Sequence, residues 1–87
     1  MPMNYNLKEK VIIVTGASQG IGKSIAAKLA MEKARVVLIS RNETKLSKIN
    51  DEFKKYGYQS IYIPADISDL DQLTHAIEHI KSTWGTI

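Results

Sequence analysis

The chain has 87 residues, of which 44% are hydrophobic and 24% charged, with a formal net charge of +3. That length holds one small domain at most, and the ordinary composition excludes a disordered tail, a collagen-like repeat or a low-complexity linker. Cysteine is absent, which excludes a disulfide scaffold, a thiolate zinc site and thiol redox chemistry. A membrane helix needs about 20 consecutive apolar residues; the longest aliphatic runs here, Val11-Ile12-Ile13-Val14 and Val36-Val37-Leu38-Ile39, have four. The basic excess is spread along the chain, with Lys54-Lys55 the one adjacent pair. A nucleic-acid binder concentrates such charge on a stripe. The expectation is a cytoplasmic α/β chain with no membrane and no nucleic-acid partner.

Met1 to Leu7 is polar, without periodicity, and reads as a loose lead-in. Lys10 to Thr15 is a β-branched run ending in glycine, the pattern of a strand buried on both faces. From Ser18 to about Lys33 the spacing of Ile21, Ile25 and Leu29 predicts an alanine-rich helix with those residues on its apolar face. Arg35 to Ser40 is a second strand. Asn42 can cap the next helix, whose stripe is Leu46, Ile49 and Phe53, with Gly57 at its end. Ile61-Tyr62-Ile63 is a third strand that Pro64 ends or places at an edge. Ser68-Asp69-Leu70-Asp71 reads as a capping box. It opens a helix with the stripe Leu70, Leu73, Ile77, Ile80 and Trp84, and Gly85 stops it.

The order β-α-β-α-β-α with short connections predicts a parallel sheet with right-handed crossovers. This is the N-terminal half of a Rossmann-type doubly wound α/β fold, with an expected strand order of 3-2-1-4.

The chemistry concentrates between the first strand and first helix, in Thr15-Gly16-Ala17-Ser18-Gln19-Gly20-Ile21-Gly22. There the backbone reverses tightly and a pyrophosphate must approach the main chain with no Cβ in its way. The helix N-terminus then offers free N–H groups and about half a positive charge. Gly16, Gly20 and Gly22 serve those needs. At the end of the second strand an NAD site usually carries a carboxylate for the ribose 2′-hydroxyl, whereas an arginine can meet a 2′-phosphate. Ser40-Arg41 stands there, and the Arg41 guanidinium is a planar donor fork. NADP(H) is therefore expected ahead of NAD(H), the alternative being that Arg41 is a solvated residue at a strand end. Asp66-Ile67 follows the third strand: Asp66 can accept from an adenine amino group while Ile67 covers the ring, or Asp66 is a turn residue leading into the next cap.

A rival pattern overlaps the same loop. Ala17-x-x-x-x-Gly22-Lys23-Ser24 differs from a P-loop by alanine at its first glycine, with Lys23 on phosphates, Ser24 on magnesium and Asp66 a metal carboxylate. That reading leaves Gly16 and Gly20 unexplained. His75 and His79 stand four apart on a helix, with no third ligand in view, and are expected to face solvent rather than a metal.

Taken together, Thr15-Gly16-x-x-x-Gly20-x-Gly22, the preceding strand, Ser40-Arg41 and Ala65-Asp66-Ile67 resemble the N-terminal part of the short-chain dehydrogenase/reductase family. The similarity runs over nearly the whole chain and is strongest to members like 3-oxoacyl-acyl-carrier-protein reductase. It implies NADPH held by Gly16, Ser18, Gln19, Ile21, Ser40 and Arg41, with Asp66 and Ile67 at adenine. Many NADP-using relatives carry a basic residue where Gln19 stands, which leaves Arg41 as the main 2′-phosphate contact. The family's later Asn-Asn-Ala-Gly strand, catalytic Ser and Tyr-x-x-x-Lys pair are absent from these 87 residues. The resemblance thus implies a piece (1–87) of a longer, homo-oligomeric reductase acting on a ketone or alcohol, such as a 3-oxoacyl thioester. No residue present is assigned to catalysis. A stand-alone nucleotide-binding module is the alternative.

Overall fold

In the computed structural model, which describes residues 7–85, the uninterrupted apolar run Val36 to Ile39 occupies the middle strand of a parallel sheet. The elements are β1 (Val11–Thr15), α1 (Gly20–Met31), β2 (Arg35–Ser40), α2 (Glu43–Lys55), β3 (Ser60–Pro64) and α3 (Leu70–Trp84). The sheet order is β1-β2-β3, with Val11 opposite Arg35 and Val36 opposite Ser60. Side chains alternate along β2. Val36 and Leu38 enter one cluster with Ala26, Ala30, Leu46, Ile49 and Phe53 from α1 and α2. Val37 and Ile39 enter another with Ala76 and Ile80 from α3. Helices cover both faces of the sheet, so β2 is apolar throughout rather than alternating. The half-Rossmann expectation holds, β3 lying at one edge as Pro64 suggested.

The α2 stripe of Leu46, Ile49 and Phe53 is buried as predicted. Asn42 caps α2, its Oδ1 accepting from the Lys45 N–H at 3.0 Å. Gly57 and Gly85 both follow their helices in the left-handed region.

Other expectations are corrected. The first helix is shorter than Ser18 to Lys33. Its buried side is Ala26 and Ala30, while Ile21 is 81% and Ile25 48% exposed, and Leu29 is half-buried. The packed face is turned by about 100° from the predicted stripe, one residue's rotation. Small side chains let α1 lie close over the sheet, and a backbone contact at its first turn, described below, selects that face. Asp69 rather than Ser68 caps α3, its carboxylate accepting from the N–H groups of Asp71 and Gln72. Leu70, predicted to open the α3 stripe, is 74% exposed because it precedes the turn that reaches the sheet. Leu7, placed in the loose lead-in, packs against the first cluster. Residues 1–6, the rest of that lead-in, lie outside the described residues, as do Thr86 and Ile87.

Two polar ties hold the edges. Arg35 donates to Gln59 Oε1 at 3.1 Å, and its guanidinium stands 6.0 Å from the Trp84 ring centroid, joining the starts of β2 and β3 to the end of α3. Ser60 is fully buried and donates from Oγ to Asn50 Oδ1 on α2 at 2.6 Å. Asn50→Ala leaves that hydroxyl buried without its acceptor and is expected to cost about 1–3 kcal/mol. Adding Ser60→Ala removes the orphaned group, so urea unfolding should show the double variant more stable than Asn50→Ala alone. The reverse order would contradict this account.

Candidate functional site

The carboxyl ends of all three strands lie at one edge, and the connections leaving them enclose an open cavity of about 650 Å³. Its lining is Thr15, Gly16, Ser18, Gln19, Ile39, Ser40, Arg41, Asn42, Ala65, Asp66, Ile67 and Ser68. The volume suits a small molecule or part of a cofactor, and this is the edge at which open α/β sheets bind ligands.

The β1–α1 loop forms the first wall. Gly16 reverses the chain with φ +66, and the Ala17 N–H donates to the Ile39 carbonyl at 3.3 Å, tying the loop to β2. Gln19 is the N-cap of α1 and makes no side-chain cap hydrogen bond. The amides of Gly20, Ile21 and Gly22 have no acceptor among the described residues. An uncapped helix end of this kind presents its donors and its positive dipole to an anion.

The second wall is built on the end of β2. Ser40 Oγ accepts from the Asn42 N–H at 3.0 Å, which leaves the hydroxyl proton to donate elsewhere. Arg41 is exposed and lines both the cavity and a smaller recess shared with Pro64, Ala65, Asp66 and Gln72. On the third wall, Asp66 Oδ1 accepts from Ser68 Oγ at 2.6 Å and from the Ser68 N–H at 3.0 Å. Those two bonds, and behind them the Arg41 charge, hold the Asp66 carboxyl below the usual carboxylate range against an opposing desolvation effect. Asp66 is thus ionised at neutral pH, and Ile67 beside it is 43% exposed.

The structure brings Gly16, Ser18, Gln19, Ser40, Arg41, Asp66 and Ile67 to this cavity and leaves Gly20, Ile21 and Gly22 outside its lining. A Cβ on Gly20 would meet nothing within 4 Å, so the approach to the helix end is open there. A Cβ on Gly22 would overlap the Gly16 carbonyl oxygen and lie 2.8 Å from its carbon. Gly22 therefore lets α1 press on the loop. Asn42 and Ser68, read from the sequence as caps alone, line the cavity too, and Gln72 beside them carried no distinguishing signal in the sequence.

Neither Lys23 nor Ser24 lines the cavity. Lys23 Nζ instead stands 3.6 Å from Glu52 Oε2 on α2, and β2 separates β1 from the strand that leads to Asp66. The P-loop arrangement has no geometric support here. His75 and His79 are exposed. Among the described residues, no three His, Cys, Asp or Glu are grouped to hold a metal ion, and no helix is long and apolar enough to cross a membrane.

The family model for short chain dehydrogenases matches residues 10–87. An L-xylulose reductase of Caenorhabditis elegans is 46% identical over 68 residues, which are 78% of this chain and 27% of the relative. A metagenomic short-chain oxidoreductase solved in complex with NADP superposes with a TM-score of 0.83 at 34% identity, covering 93% of this chain and 37% of that one. A short chain dehydrogenase/reductase from Burkholderia phymatum, solved in complex with NAD, superposes at 0.90 with 25% identity, covering 95% and 30%. The chain thus spans between 27% and 37% of the length of these proteins.

Proposed function

The chain belongs to the short-chain dehydrogenase family, and from that premise we propose that it binds the adenosine and pyrophosphate part of NADP(H) within a longer oxidoreductase. The observation that carries this reading is the meeting of three features at one cavity: the Gly16 turn beside the uncapped α1 N-terminus, Arg41 at the end of β2, and Asp66 after β3. Each fits one part of a dinucleotide. The unpaired amides and the open space at Gly20 suit a pyrophosphate. Asp66, ionised and with Oδ2 unbonded among the described residues, accepts from the adenine amino group, and Ile67 covers the ring.

At the ribose, Arg41 supplies charge-assisted donors and Ser40 a hydroxyl, with no carboxylate at the strand end to repel a phosphate. This favours NADP(H) over NAD(H), both of which occur among the similar structures. Bound there, the nicotinamide would exchange hydride with a carbonyl or alcohol. This chain's own residues bind and orient the cofactor's other half. That one similar protein is a reductase of a ketose supports the ketone/alcohol class, and the 3-oxoacyl thioester remains the member the sequence resemblance favours. The same resemblance supports a cytoplasmic homo-oligomer as the working form of the longer protein.

Calorimetric titration of the protein with NADPH, NADH and magnesium-ATP tests the reading. NADPH should bind most tightly and magnesium-ATP least. Binding of magnesium-ATP alone, or of none of the three, would refute it.

A further inference from the structure

We propose that Gln72 is a positioning residue for the adenine end of the cavity, holding the Asp66 backbone so that the free carboxylate oxygen of Asp66 meets the base. This deepens the dinucleotide reading and rests on it. Gln72 lies in the first turn of α3, on an exposed position. Its Oε1 accepts from the Asp66 N–H at 2.8 Å, and its Nε2 donates to Asp69 Oδ2 at 3.3 Å. Only this amide orientation works: the reverse would set NH₂ against the Asp66 N–H and oxygen against the Asp69 carboxylate.

In the usual capping box the side chain at this position returns to the N-cap residue's own N–H. Here that N–H is engaged by the Asp66 carbonyl at 3.0 Å. The Gln72 side chain extends past it, so both backbone polar groups of Asp66 are bonded to the entrance of α3. With the backbone held, the two Ser68 bonds fix which carboxylate oxygen is occupied. Oδ1 is engaged and Oδ2 accepts no hydrogen bond from a described residue, on a side chain that lines both the cavity and the recess shared with Arg41, Pro64 and Gln72.

An acceptor so fixed distinguishes a purine with a 6-amino donor from one with a 6-oxo acceptor, because the mismatched base sets two acceptors against each other. Gln72 thereby contributes to base selectivity without touching the ligand. A merely structural role for Gln72 would change stability and leave that selectivity alone.

The test compares binding of NADPH with that of its hypoxanthine analogue, in the wild type and in Gln72 variants of the protein. Wild type should prefer the adenine form. Gln72→Ala should reduce the preference at least about threefold, the scale of one lost hydrogen bond. It should also hasten hydrogen exchange at the Asp66 amide. Its melting should stay close to wild type, since alanine is the best helix former at an exposed position. Should the alanine variant melt early, Gln72→Met keeps the length without the acceptor and gives the same comparison. An unchanged preference in the alanine or methionine variant overturns the inference, as does a wild type that binds both forms equally while still binding NADPH. Failure of the wild type to bind either form would instead overturn the dinucleotide reading and this inference with it.

Discussion

Gly22→Ala is expected to lower the melting midpoint by about 5–20 °C and to weaken NADPH binding by at least about tenfold. The added Cβ would overlap the Gly16 carbonyl oxygen, with the Gly16 carbon at 2.8 Å and Ala17 Cα at 3.3 Å. All three atoms are backbone, so no side-chain rotation relieves the overlap, and either the loop or the first turn of α1 must move. Overpacking of this kind costs about 1–3 kcal/mol. For a chain of 87 residues each kcal/mol moves the midpoint by about 4–8 °C. Binding suffers as well, because the displaced atoms carry the turn that aims the helix amides. Gly20→Ala is the contrasting variant. Its Cβ meets no atom of the chain within 4 Å, so melting should hold while the methyl group obstructs the pyrophosphate. Calorimetric melting and titration of both variants check the pair. If Gly22→Ala melts within about 2 °C of wild type, too little for the expected overlap, the close approach is not what sets the loop.

Arg41→Ala is expected to weaken NADPH binding by about 1.5–3 kcal/mol, roughly 10- to 150-fold, the contribution of hydrogen bonds to a charged group. NADH, which lacks the 2′-phosphate, should change much less, so the two affinities converge in the variant. Gln19 offers no charge in compensation, and the remaining donors near the ribose, Ser40 and Asn42, are neutral. The wild-type preference should also fall as salt rises, since Arg41 is exposed and its attraction is screened over about 8 Å at physiological ionic strength. Equal binding of NADPH and NADH, unchanged by the substitution and by salt, would show that Arg41 is a solvated strand-end residue.

Particular residues show how much of the architecture was legible without coordinates. Val36 to Ile39 marked the central strand, because a strand covered on both faces has no polar side to display. Leu46, Ile49 and Phe53 marked the buried side of α2, and Asn42 its start. The site was legible in outline for the same local reason: Gly16 and Arg41 stand directly after a strand and Asp66 one residue further on, and parallel strands end at one edge. The failures were also local patterns with more than one solution. Ile21, Ile25 and Leu29 form a sound apolar stripe, yet large side chains would hold α1 away from the sheet, and Ala26 with Ala30 allow the closer packing. Ser68 and Asp69 are both good cap residues. The choice between them depended on Asp66 accepting from Ser68 and so removing its hydroxyl from the helix end.

By itself the sequence determined the order and parallel pairing of the strands, the start and stop of α2, the stop of α3, and the glycine turn opposite Arg41. These follow from side-chain periodicity, capping chemistry and the glycine backbone, all of which act within a few residues. Tertiary structure alone decided which face of α1 is buried, that Lys23 pairs with Glu52 outside the cavity, and that Gln72 reaches back to the Asp66 backbone. Each of those depends on the distance between segments that meet only after the sheet has formed, a quantity set by packing rather than by local preference.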